Sequence, residues 1–205
     1  MGKVVQFPQS TPAKFGYHKA RVKKGRKKIN LEDYGQLNIF SENTPVISLR
    51  PNLAPFEEAL QYDERKQSAL AIESYKKAIG ARDNVADAYC NLGILYSENG
   101  ESAMAIDTFT NCLKNEPRHF EAHYNLANLF SEIGNLSLAK VHYQMSVTIN
   151  PEFSNGYYNL GLILALNREF EEAVDAFLKY KDTAPINERA NALALIKSLK
   201  ESIAN

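Results

Sequence analysis

The 205-residue sequence contains no tryptophan, only two cysteines and no apolar run near the roughly 18 residues that a membrane-spanning helix requires. Cys90 and Cys112 stand alone, without a CxxC spacing, which excludes a zinc ribbon and a disulfide scaffold and suits a reducing compartment. The opening residues carry no apolar core of a secretory signal, so a soluble, cytoplasmic chain without a membrane partner is expected. P-loop, GxGxxG, GxSxG and HExxH patterns are all missing. His119 and His123 are four residues apart but have no evident third ligand, and His123 falls at a packing position. The reading is therefore a protein that is not an enzyme, with no catalytic residues, no metal site and no cofactor.

Charge is balanced overall, with 24 basic and 24 acidic side chains, but it is unevenly placed. Met1–Pro51 holds ten Lys/Arg against three Asp/Glu, and Asn52–Asn205 holds fourteen against twenty-one. The basic residues concentrate at Lys19, Arg21, Lys23, Lys24, Arg26, Lys27 and Lys28, a run that contains Gly25 and is expected to be solvated and irregular. Such an arm can contact phosphates of a nucleic acid, or fold back into a groove of the acidic remainder and inhibit it.

That remainder repeats itself. AYCNLGILY at Ala88 returns as AHYNLANLF at Ala122 and GYYNLGLIL at Gly156, each step 34 residues, and Pro117, Pro151 and Pro185 keep the same period. Projection backward gives units 52–85, 86–119, 120–153 and 154–187, followed by 188–205 and preceded by the arm, 1–51. Within the second unit the apolar and small residues are Tyr89, Leu92, Gly93 and Tyr96, then Ala105, Phe109 and Cys112. Both groups mark one face of a helix, so each unit is a pair of amphipathic helices that must stack on its neighbours to bury its apolar side. Gly100 and Gly134 fall between paired helices, where a left-handed residue ends a helix; Arg168 takes that place in the last unit. Ala192, Leu195, Ile196, Leu199 and Ile203 form one stripe of a final helix, with Asn187 as its expected N-cap.

The aromatic, Leu-Gly, Tyr, Ala, Phe and Pro signature at this spacing resembles the tetratricopeptide repeat family. The resemblance implies an all-α, right-handed solenoid of four helix pairs with a terminal capping helix and a concave groove that binds partners. Pro55, Glu58 and Asp83 depart from the pattern in the first unit, as an edge repeat can.

On a helical wheel the groove face carries Asn91, Asn125 and Asn159, one repeat apart, whose amides can both donate to and accept from a peptide backbone. Tyr124 and Tyr158 are expected to supply side-chain pockets, and Asn128, Glu98 and Glu132 to complete the site. No lysine or arginine faces the groove, which argues against a clamp for a C-terminal carboxylate. The expected function is a noncatalytic adaptor or scaffold holding a peptide with basic and apolar residues. The alternative is a nucleic-acid-associated regulator that uses the arm for phosphate contacts, and homo-oligomerisation is left open.

Overall fold

The computed structural model describes residues 16–20 and 53–203. The latter range is all helical: α1 (Pro55–Glu64), α2 (Ser68–Gly80), α3 (Val85–Glu98), α4 (Ser102–Asn115), α5 (Phe120–Glu132), α6 (Leu136–Ile149), α7 (Ser154–Leu166), α8 (Phe170–Thr183), a 3-10 turn (Ile186–Glu188) and α9 (Arg189–Ile203). Helices pair in chain order, α1 with α2 through α7 with α8, and each pair packs on the next.

Each pair closes through the same backbone device. Lys66, Gly100, Gly134 and Arg168 all have φ between 60° and 82°. The amide following each donates to a carbonyl five residues earlier: Gln67 to Tyr62, Glu101 to Tyr96, Asn135 to Phe130 and Glu169 to Leu164. This six-residue loop satisfies an orphan carbonyl and reverses the chain, and it is kept whether or not the left-handed residue is glycine. Side chains secure the helix starts where they can. His119 Nδ1 accepts from the Ala122 amide, Asn135 Oδ1 accepts from the Leu138 amide, and Asp83 Oδ2 accepts from the Phe56 amide at the start of α1.

Close approach within a pair depends on missing Cβ atoms. A Cβ on Gly93 of α3 would lie 2.7 Å from the Phe109 ring of α4, and one on Gly161 of α7 would lie 2.9 Å from the Phe177 ring of α8. Both rings are fully buried. Three apolar clusters then run along the solenoid, centred on Phe56 and Tyr75, on Phe109 and Ile94, and on Tyr143, Phe177 and Tyr180. The final helix covers the last pair with Ala192, Leu195, Ile196 and Leu199 but leaves Ile203 exposed. Asn187 lies inside the 3-10 turn rather than capping α9, because Pro185 opens a tighter turn in which its carbonyl accepts from the Glu188 amide at 2.9 Å.

His123 and His142 meet between α5 and α6, with their Nδ1 atoms 3.0 Å apart. The Pro117 carbonyl, 3.2 Å from His123 Nε2, can only accept, so His123 carries its proton on Nε2 and His142 donates from Nδ1. Burial holds both imidazoles below their usual range, and the adjacent His123 helps to bring His142 down to about 4. Because both folded values lie below the unfolded one, the unfolded chain binds more protons. The stability this pair contributes is therefore complete above about pH 6.5 and declines as pH falls toward 4. Going from pH 7.5 to pH 5, the melting temperature of wild type is expected to shift downward relative to that of His142→Leu. An unchanged difference would show that the pair contributes nothing to acid sensitivity.

Candidate functional site

Helices α1, α3, α5 and α7 supply one face of the solenoid, and residues 16–20 lie across it. The fit begins with two buried asparagines at equivalent places on successive repeats. Asn125 Oδ1 accepts from the His18 amide at 2.7 Å, and its Nδ2 donates to the His18 carbonyl at 2.8 Å. Asn91 repeats this two residues further along, accepting from the Ala20 amide and donating to the Ala20 carbonyl, both at 2.9 Å. A carboxamide that exchanges both hydrogen bonds with one residue does what a neighbouring strand does in a sheet. Asn128 Nδ2 donates to the Gly16 carbonyl at 3.2 Å.

With the backbone held this way, alternate side chains of the segment reach opposite rims of the groove. Tyr17 and Lys19 face the C-terminal ends of the first helices. The Tyr17 hydroxyl meets Ser97 Oγ and donates to Glu132 Oε2 at 3.0 Å; burial, and to a lesser degree Glu132 and Glu98, push the phenol above its usual range. Lys19 Nζ contacts Asp63 Oδ1 at 2.6 Å. The Asp63 side chain is only 5% exposed, and its other oxygen accepts from the Tyr75 hydroxyl at 3.3 Å. His18 and Ala20 face the other way. The His18 ring lies edge-on to Phe153 at 5.0 Å between centroids and tilted against Phe120 at 5.9 Å. Ala20 is 1% exposed and joins the cluster of Cys90, Ile94, Ala122 and Leu126.

Asn159 holds the equivalent place one repeat on but faces a different set of atoms. Its Nδ2 lies 3.1 Å from both the Tyr124 hydroxyl and Asn128 Oδ1, and 3.4 Å from the Tyr143 hydroxyl. Tyr124 is buried against Phe153 and Tyr143, and Tyr158 against Phe177 and Tyr180. Both tyrosines thus lie beneath the groove surface, and burial raises Tyr124 to about 12. Glu98 is exposed, near enough to Tyr17 to act on its phenol electrostatically. Of the basic run, Lys19 is in the groove, and Arg21, Lys23, Lys24, Arg26, Lys27 and Lys28 lie outside the described residues.

Asp63, Ser97, Phe120 and Phe153 were not among the residues the sequence singled out. Asp63 and Ser97 occupy the same place, twelfth in their units, and with Glu132 they form a polar row along one rim. That row ends in the fourth unit at Leu166, which is 57% exposed. A separate cleft of about 490 Å³ between α2, α3 and α4 contains none of the polar side chains that hold the segment. Cys90 and Cys112 are buried free thiols; Asn125 Nδ2 approaches Cys90 Sγ at 3.5 Å. No group of three potential metal ligands occurs among the described residues, and none of the described helices is long and apolar enough to cross a membrane.

Comparison with known proteins agrees with this architecture. A crystal structure of MamA superposes with a TM-score of 0.57 at 22% identity over 71% of this chain and 94% of that one. A tetratricopeptide repeat protein from Parabacteroides merdae gives a TM-score of 0.64 at 21% identity over 74% of this chain and 59% of that one. The first tetratricopeptide domain of Spaghetti (RPAP3), bound to the HSP90 peptide SRMEEVD, gives 0.53 at 19% identity over 58% of this chain and 94% of that one. No curated protein matches the sequence significantly. Two family models described as tetratricopeptide repeat match, one at residues 86–119 and 120–153 and the other at 138–188. The chain belongs to the tetratricopeptide repeat family.

Proposed function

We propose that this protein is a noncatalytic, cytoplasmic adaptor that holds an extended segment of a protein partner in its concave groove. The observation that carries this reading is the pair of asparagines, Asn91 and Asn125, each exchanging two hydrogen bonds with one residue of an extended backbone. Capture through the backbone needs no particular partner sequence, and the rim adds a preference. Asp63 and Glu132 favour cations and hydroxyl donors, with Glu98 adding negative charge nearby, and Asn128 anchors the segment's N-terminal end. Asn159, Tyr124 and Tyr158 support the groove from beneath. A relative of the same fold is solved with a peptide bound, which accords with this use of the face.

The test is a nuclease-treated capture from native lysate with the wild-type chain and with Asn91→Ala/Asn125→Ala, after circular dichroism shows equal helicity. A protein retained by wild type and lost by the double variant is expected. Capture of the same proteins by both baits would overturn the assignment of the groove.

A further inference from the structure

We propose that the groove selects a four-residue pattern, a phenol followed by a flat ring, a lysine and an alanine, and that Tyr17–Ala20 is an internal copy of that pattern which a partner must displace. The inference rests on the proposed peptide-holding role and names what the peptide looks like. Each of the four side chains meets a different chemistry. The phenol reaches a hydroxyl and a carboxylate on one rim, and the ring at the second position packs against both Phe120 and Phe153. The ammonium at the third meets Asp63, a carboxylate more than nine-tenths buried whose other oxygen accepts from the neutral Tyr75 hydroxyl. The methyl group at the fourth is enclosed, at 1% exposure, among Cys90, Ile94, Ala122 and Leu126.

These contacts discriminate. Withdrawing the lysine leaves a buried carboxylate without its cation, which is much costlier than losing an exposed ion pair. An occupant with an acidic or uncharged side chain there is rejected by that same cost. A leucine at the fourth position would have to open a packed cluster, whereas glycine would merely lose contacts. Phenylalanine at the first position would forgo the hydrogen bonds to Ser97 and Glu132, a smaller loss because water can reach this rim.

The internal copy competes with an advantage that a free peptide lacks. Residues 21–52 join it to the solenoid, and a tethered ligand acts at an effective concentration on the order of millimolar. A free peptide with the same sequence therefore binds the intact chain weakly and binds well once the internal copy is released.

The experiment uses the full-length chain and a vacated form carrying Tyr17→Ala, Lys19→Glu and Ala20→Asp, all outside α1–α9. A fluorescein-labelled peptide KFGYHKARV, corresponding to residues 14–22, is titrated into each and followed by anisotropy. The vacated chain is expected to bind at least about ten-fold more tightly than wild type, by the tether argument above. Binding to the vacated chain should be lost when the peptide carries Lys19→Glu or Ala20→Leu, and when Asn91→Ala and Asn125→Ala are added to the chain. Equal affinity for the two chains would overturn the internal competitor, and equal binding of the altered peptides would overturn the pattern. If no peptide binds the vacated chain while the lysate partner is still captured in an asparagine-dependent way, this inference falls and the adaptor reading stands. Loss of both removes both.

Discussion

Phe109→Ala is expected to destabilise the solenoid by about 3–5 kcal/mol, since the ring is fully buried and its removal leaves a cavity between α3 and α4. The same contact makes a second, sharper prediction. A Cβ on Gly93 would come within 2.7–3.0 Å of three atoms of that ring, so Gly93→Ala should cost about 1–3 kcal/mol despite alanine's better helix propensity. In the Phe109→Ala background the clash is gone, and Gly93→Ala should become neutral or stabilise by up to about 1 kcal/mol. Urea unfolding of the two single variants and the double variant measures the cycle. Additive effects would show that the glycine is not there to admit the ring.

The second large effect concerns the groove. Asn125→Ala removes two hydrogen bonds from the backbone N–H and C=O of His18, and Asn91→Ala removes two from those of Ala20. A buried backbone group left unpaired costs about 1–3 kcal/mol, so each substitution should weaken the hold on the segment by about ten- to a hundred-fold. Amide hydrogen exchange reads this directly. Protection of the His18 and Ala20 amides should fall by that factor in either variant, while amides at the centres of α3 and α5 keep theirs. High salt should have a smaller effect, because the Lys19–Asp63 pair is largely withheld from solvent. Unchanged protection at His18 and Ala20 would mean that the asparagines do not hold the segment.

Much of the helical architecture was legible because a period of 34 writes the same packing problem repeatedly, and small residues at Gly93 and Gly161 sit where a neighbouring ring must enter. The left-handed closures were legible at Gly100 and Gly134 but carry no residue signature at Lys66 and Arg168, where the six-residue backbone loop imposes the conformation. Asn91, Asn125 and Asn159 read alike along the sequence, and their surroundings part them. Asn159 has the Tyr124 and Tyr143 hydroxyls and Asn128 within reach, so its amide nitrogen is engaged beneath the surface. Asp63 was silent because it belongs to the unit that keeps the pattern least well. The docking of residues 16–20 leaves no periodic trace, since five extended residues obey the groove's spacing and not their own. Charge asymmetry pointed to an attraction between arm and solenoid, but net charge has no address; Asp63 and Glu132 provide one for Lys19 and Tyr17.

The path of the segment has a mechanical consequence. Stacked helix pairs are otherwise linked only neighbour to neighbour, so a solenoid flexes like a spring whose curvature is the sum of small rotations. Residues 16–20 tie α5, α3 and α1 together through Asn128, Asn125, Asn91 and Asp63, and so act as a strut across the inside of the bend. A strut on the concave side resists both straightening and twisting of the first three repeats, while the fourth pair and α9 lie beyond its reach. Filling or emptying the groove is thereby also a change in the stiffness of one end of the molecule, and whatever is attached to the other end is held on a more compliant mount.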